Sequence, residues 1–252
     1  MIEQILVLVR AIPELSKKYG YLVCVAGINS KNEWRRLYPF EFGSIKFKKK
    51  DWLEADIVTN PKDKRIESRK VQQYKILDKR EDDAGILKIL KPLISSIDGM
   101  KSQKKSLCIV KPDLLGIDIK INSMQIIDEQ RYLNVYGDNN PTVKREKIKM
   151  PFEVQYIFKC LHKKCSCEKK PHKLRIIDLE INELFRNIVK SGITDKRVLE
   201  EKIKKKLYEF MKDRDLYFII GTHFRFGTPI IIGLFYPKKG ISQQKSLDKF
   251  FV

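Results

Sequence analysis

The sequence predicts an α+β protein in which sheet predominates: a mainly antiparallel sheet or small barrel in the N-terminal part, then a sheet with two helices in the C-terminal part. Three observations predict it. Short apolar runs of strand length, punctuated by Pro and Gly, fill residues 1–60. Apolar positions recur at helical spacing in 179–190, and a second, longer helix is expected from 195 to about 213. Two strongly apolar runs, 216–220 and 229–236, have the character of strands central in a sheet.

In order along the chain, 5–10 and 22–28 are the first strands, with Pro13 and Gly20 between them. Residues 33–40 and 52–59 continue the series, the latter roughly alternating through Trp52, Glu54, Asp56 and Val58. Sequential strands with short links suit an antiparallel sheet or a small barrel. Residues 61–105 are highly charged, with a helix expected over 85–95. Strands follow at 107–110 and 116–121, around Pro112. The polar stretch 122–149 includes Gly137-Asp138-Asn139-Asn140-Pro141 and reads as a loop or boundary. Beyond it come a strand at 153–159, a cysteine-rich turn and a strand at 173–177. In the first C-terminal helix Ile181, Leu184, Phe185 and Ile188 make an apolar stripe, closed by Gly192. The expected organisation is a β-rich part over 1–121, an α+β part with a Cys/His hairpin over 150–237, and a flexible tail over 238–252.

Composition narrows the function classes. Apolar residues are 42% and aromatics 10% of the 252 residues, enough for a globular core and unlike a disordered chain. No apolar run reaches the length of a membrane span, and residues 1–9 are too short and wrongly flanked for a signal peptide, so a cytoplasmic, nucleoid-associated location is expected. Five cysteines, three of them within eight residues, do not form a secreted disulfide framework. The net charge of +20 favours a polyanion, nucleic acid before others. Lysine outnumbers arginine 39 to 13, as in an AT-rich genome or a thermophile, but that bias raises glutamate together with lysine, and here acids stay scarce.

Residues 160–172 hold five possible metal ligands. Thiolates and imidazoles in a tetrahedron suit zinc, and the expected set is Cys160, Cys165, Cys167 and His172, with His162 as a substitute. The Cys-x-Cys spacing is tighter than the usual knuckle, and a basic loop with incidental cysteines is the competing reading. The same hairpin carries Lys159, Lys163, Lys164, Lys169, Lys170, Lys173 and Arg175 against Glu168 alone, a candidate grip on a phosphate backbone or else a solvated charged tip. Residues 46–50 and 65–70 are further basic candidates. Phe224 and Phe226 flank Arg225, where packing into a core or turn competes with stacking on bases. For catalysis, Asp178, Glu180 and Glu67 are the carboxylates that could bind Mg²⁺ or Mn²⁺ for phosphodiester cleavage, with His223 as a proton shuttle. Asp178 and Glu180 also suit a helix N-cap and first turn.

Two resemblances add to this. Residues 18–20, 23–28, 34–39, 65–68 and 109–112, together with Cys160, His172, Asp178-Leu179-Glu180, Gly221-Thr222 and 232–235, resemble an uncharacterised prokaryotic family of similar length. That family has Trp where this chain has Leu179. Because its recurring stretches include charged groups, the resemblance implies a site involving Arg35, Arg36, Arg65, Glu67, Asp178 and Glu180. Separately, Gln244, Leu247, Phe250 and Phe251 fall at the i, i+3, i+6 and i+7 positions of a segment that would gather them on one face as a 3₁₀ turn. This resembles the PCNA-interacting (PIP-box) peptide of replication and repair proteins, and implies an archaeal or eukaryotic setting, archaeal by the lack of eukaryotic targeting features. A tail folded back on the body is the competing reading. The function expected is a sliding-clamp-interacting DNA-binding factor. The alternatives are a clamp-recruited metal-dependent nuclease and an RNA-binding or RNA-modifying module.

Overall fold

The apolar runs of the first 60 residues become β1 (Ile2–Arg10), β3 (Gly20–Asn29), β4 (Trp34–Glu41) and β5 (Asp51–Thr59), with a short β2 (Glu14–Ser16) after the first. A computed structural model describes residues 1–16, 20–125, 149–162 and 165–241. β6 (Ser68–Arg80) completes a closed circuit: β1 pairs with β3 and β5, β3 with β4, β5 with β6, all antiparallel. The last step, β4 to β6, is parallel and brief, through Arg36↔Ser68 and Leu37↔Arg69. A five-stranded Greek-key barrel with this order has the connectivity of the OB-fold. Its interior is filled by alternate residues, Ile5, Val7, Val23, Val25, Leu37, Leu53, Ala55 and Ile57. The link between β4 and β5 returns Phe42 and Phe47 to that interior, where Phe40, Phe47 and Tyr74 meet edge-to-face at 5.2–5.4 Å.

The outer face of the barrel is apolar on one side, and this positions the rest of the molecule. Leu6, Leu8, Ala26, Ile28, Trp34 and Trp52 pack on α1 (Asp83–Leu90) and on a second sheet. That sheet has the order β13-β12-β8-β7, from β7 (Ile94–Ser95), β8 (Leu107–Val110), β12 (Tyr217–Thr222) and β13 (Pro229–Phe235). Leu107, Ile109, Tyr217 and Ile219 face the barrel, whereas Cys108, Val110, Phe218 and Ile220 face away. Burial on both faces explains why these strands read as unbroken apolar runs.

The far side is covered by a three-stranded antiparallel sheet of β9 (Pro112–Ile121), β10 (Phe152–Cys160) and β11 (His172–Arg175), and by helices. Val154, Tyr156 and Phe158 on β10 alternate inward against α2 (Ile97–Ser102), α3 (Leu179–Lys190) and α4 (Lys196–Lys204). Asp178 caps α3 by accepting the Glu180 N–H at 3.1 Å, and Asp195 caps α4 by accepting the Arg197 and Val198 N–H groups. After α4 the helix widens into a π turn over Lys205–Glu209, and the buried Tyr156 hydroxyl donates to the Leu207 carbonyl there at 2.7 Å.

The α+β class stands, with a barrel at the N-terminus. The expected helix over 85–95 is shorter, ending at Leu90 and passing through a 3₁₀ turn (Lys91–Leu93) into β7. β6 lies in the highly charged stretch 61–105, where no strand was expected, and β8 and β9 join strands of the C-terminal half.

Candidate functional site

The cysteine-rich hairpin brings its ligands together. Cys160 ends β10, His172 begins β11, and the turn between carries Cys165 and Cys167 on a 3₁₀ turn (Ser166–Glu168). One ligand atom from each of Cys160, Cys165, Cys167 and His172 lies within 4.8 Å of every other. Ligands about 2.3 Å from a tetrahedral metal stand close to 4 Å apart, so a small inward shift closes the set. The cluster can therefore hold a metal ion. All three thiols are buried, and His172 Nε2 is 3.2 Å from Cys165 Sγ. Burial pushes the Cys160 and Cys167 thiols up and the His172 imidazole down. The Asp98 carboxylate of α2 accepts the Ser166 N–H at 2.6 Å, which ties the turn to the body. His162 is exposed and outside the four.

The second cluster joins barrel to helix. Lys50 takes the left-handed φ of 76°, and the turn sends Lys49 and Lys50 to different partners. Lys50 pairs with Asp83 at 2.5 Å, while Lys49 donates to both oxygens of the buried Asp178, at 2.7 and 2.9 Å, and to Glu180 at 3.0 Å. Asp178 also accepts the Leu234 N–H of β13 at 2.9 Å. Burial alone would lower the Lys49 pKa, but the Asp178 and Glu180 charges outweigh it and hold it raised. The adjoining cleft of ≈ 520 Å³ is lined by Arg10, Lys48, Lys49 and Arg80 together with Glu180 and Glu183 over an apolar floor. Asp178 and Glu180 thus do meet, but around an ammonium rather than an open space for a divalent ion.

Glu67 and His223 belong elsewhere. The buried Glu67 carboxylate accepts from the Ser106 N–H and hydroxyl at 2.9 and 2.7 Å, and Arg36 Nη2 donates to the Ser106 carbonyl at 3.0 Å. Burial, with Glu67 nearby, pushes the neighbouring Cys108 thiol up to about 12. His223 stands at the tip of the β12–β13 hairpin, its Nδ1 accepting from the Arg225 and Phe226 N–H groups. Among the described residues, neither Glu67 nor His223 shares a hydrogen-bond partner with Asp178 or Glu180.

The proposed phosphate-binding cations divide sharply. Arg35 is committed to Glu3 (2.7 and 2.9 Å) and Glu33 (2.5 Å), and Arg36 is buried at 3% exposure. Arg65 is forked onto Asp63 and donates to the Thr222 carbonyl at 2.8 Å. Lys169, Lys170, Lys173 and Arg175 are exposed, but Lys173 pairs with Asp118 and Arg175 with Glu153 at 3.6 Å. The charge count over 159–175 missed these acids because Asp118 lies on the neighbouring β9 and Glu153 earlier along β10. Lys163 and Lys164 lie outside the described residues, as do Gln244, Leu247, Phe250 and Phe251.

Sequence reasoning took Lys49 only as part of the basic segment 46–50, and passed over Ser106 and Asp63. Nothing in Lys48-Lys49-Lys50 marks the middle lysine as the one turned in toward Asp178. Asp63 stands two residues before Arg65, a spacing at which an acid folds back on a base, and that signal was available.

Residues 91–250 match a family described as a domain of unknown function (DUF8757), and residues 1–85 match a second such description (DUF8758). The chain belongs to the DUF8757 family. The first match ends inside α1 and the second begins just past it, so the first takes in the whole barrel and the second takes in both sheets packed beyond it, with the cysteine cluster. Arg36 and Glu67 come from the first and Ser106 from the second, which makes their contact a joint between the two. No curated protein matches the chain.

Proposed function

We propose that the chain is a DNA-binding factor of replication or repair, tethered to its substrate by the sliding clamp PCNA. The observation that carries this reading is the spacing of Gln244, Leu247, Phe250 and Phe251, a polar hook followed by one aliphatic and two adjacent aromatic residues. Such a segment binds a clamp weakly on its own, and the clamp then supplies the high local concentration that makes weak DNA contacts sufficient. The +20 charge supports a polyanionic partner, and Lys169 and Lys170 remain exposed and available to one. OB barrels are used to bind oligonucleotides or oligosaccharides, which agrees with the reading without deciding it.

The metal fits as zinc. Three thiolates and an imidazole are the soft, tetrahedral donor set that zinc takes in structural sites, and four protein ligands leave no position open for a substrate. When bound, the ion would supply the positive charge that lets the buried thiols ionise. The residues themselves fix the end of β10 to the start of β11 and hold the lysine-bearing turn in place.

Binding is favoured over cleavage by one contact. Lys49 fills the space between Asp178 and Glu180, so a Mg²⁺ or Mn²⁺ ion would have to displace an ammonium already paired twice. The test is fluorescence anisotropy of labelled DNA circles, bare and carrying a loaded clamp, with RNA as competitor and Mg²⁺ present. Retention of intact DNA, with affinity roughly ten-fold or more higher when the clamp is loaded, is the expected result. Equal affinity with and without the clamp overturns the tether; a product ladder overturns the non-enzymatic role; preferential competition by RNA overturns the DNA assignment.

A further inference from the structure

The tip of the β12–β13 hairpin is the most exposed aromatic surface among the described residues. Phe224 is 60% and Phe226 74% exposed, where packing into a core or turn was the competing expectation. The tip is nonetheless held firmly. The His223 N–H donates to the Thr228 carbonyl at 2.8 Å, the Gly227 N–H donates to the His223 carbonyl at 2.9 Å, and Gly227 takes the φ of +63° that the turn needs. Each ring is backed on one side. The His223 ring stacks on Phe226 at 4.8 Å and 21°, and the Arg65 guanidinium lies 5.4 Å from the centre of the Phe224 ring. One face of each phenyl is braced and the other is open to solvent.

The setting is basic. Arg65 belongs to the barrel loop 60–67, which lies between the fourth and fifth barrel strands, one of the loops that frame the ligand groove in OB barrels. Its acids are used up: Asp63 is buried on Arg65 and Ser68, and Glu67 on Ser106. Lys62, Lys64 and Arg225 stay exposed. A pair of half-open aromatic rings, one braced by Arg65 and set beside a loop whose own acids are already paired, complements flat bases joined by phosphates. It does not complement a duplex, whose bases are already stacked on one another.

We propose that Phe224 and Phe226, braced by Arg65 and His223, form a stacking platform for unpaired bases, with Arg225 and the 60–67 loop contacting the backbone. This rests on the nucleic-acid reading above and narrows it to single-stranded segments. Both phenylalanines are solvent-exposed, so replacing them leaves the core intact. The full-length protein is titrated with a labelled single-stranded DNA of about 12 nucleotides, within the range one such fold covers, and with its duplex.

Phe224→Ala/Phe226→Ala is expected to weaken single-strand binding roughly ten-fold or more and duplex binding little, with an unchanged salt slope. Arg225→Gln should weaken binding and lower that slope by about 1, the signature of a lost phosphate contact. Phe224→Tyr/Phe226→Tyr, which keeps the flat rings, should bind as the parent does, and Phe224→Leu/Phe226→Leu should not. Single-strand binding unchanged in the alanine variant overturns the platform and leaves the DNA-binding reading standing. Full rescue by leucine overturns stacking in favour of a plain apolar contact. Binding of phosphatidylserine vesicles that the alanine variant loses, with oligonucleotide affinity unaltered, assigns the tip to a membrane and overturns the proposal. No binding of the parent protein to any nucleic acid overturns both readings together.

Discussion

Lys49, half-buried, pairs with the buried Asp178, and the two substitutions that break the pair have unequal consequences. Lys49→Met strands the Asp178 charge in the interior and should cost about 3–5 kcal/mol in urea unfolding. Adding Asp178→Asn removes that charge, keeps a good N-cap for α3, and should restore most of the loss. The pair also sets an alkaline limit. Because the Lys49 pKa is raised above its ordinary 10.5, its contribution is complete below that pH and is lost as pH climbs through the higher folded value. Asp63 behaves in the opposite sense: burial pushes its pKa up, but hydrogen bonds from Arg65 and Ser68 outweigh it and leave it below 3.8. Its contribution is present above that pH and disappears as pH falls through the folded value. Asp63→Asn should therefore flatten the acid limb of the urea midpoint against pH and leave the alkaline limb unchanged. An unaltered acid limb would mean that the Asp63–Arg65 fork contributes nothing to stability.

At the scale of elements, the metal hairpin is where local sequence said most. Cys160, Cys165, Cys167 and His172 are close along the chain, so a tight turn between two strands was enough to gather them. The hairpin's basic face was less legible, because Asp118 on the sequence-distant β9 and Glu153 near the start of β10 neutralise part of it. β6 escaped notice for a related reason: it shares only two pairs with β4, and Lys70, Gln72, Gln73, Lys75 and Ile76 along it are exposed, so no apolar alternation marks it. Phe47, inside the basic candidate segment 46–50, is fully enclosed in the barrel. If the cysteine cluster is a structural metal site, chelation should lower Tm by roughly 6–12 °C for each ~3 kcal/mol of binding energy coupled to folding. Native mass spectrometry should record one ion lost, and Cys167→Ser should reproduce both changes without the chelator. A Tm indifferent to chelator, with no ion in the parent spectrum, would remove the metal from the account.

For the molecule as a whole, the central sheet serves two cores at once, with Leu107, Ile109 and Ile219 against the barrel and Val110, Phe218 and Ile220 against β10 and the helices. The two family-matched parts should therefore unfold together. Trp34 and Trp52, both at the barrel–sheet contact, give a fluorescence transition expected to coincide with the loss of far-ultraviolet circular dichroism. Two separated transitions would show that the barrel is an independent unit. The proposed clamp docking rests on the spacing within the segment 243–252 alone, while the candidate sites on the body depended on which charges the fold buried. The central claim is that this segment docks on the clamp. Isothermal titration calorimetry of the full-length protein against PCNA should give a saturable isotherm that Phe250→Ala/Phe251→Ala abolishes, whereas an absent isotherm, or one the double variant leaves unchanged, would contradict it.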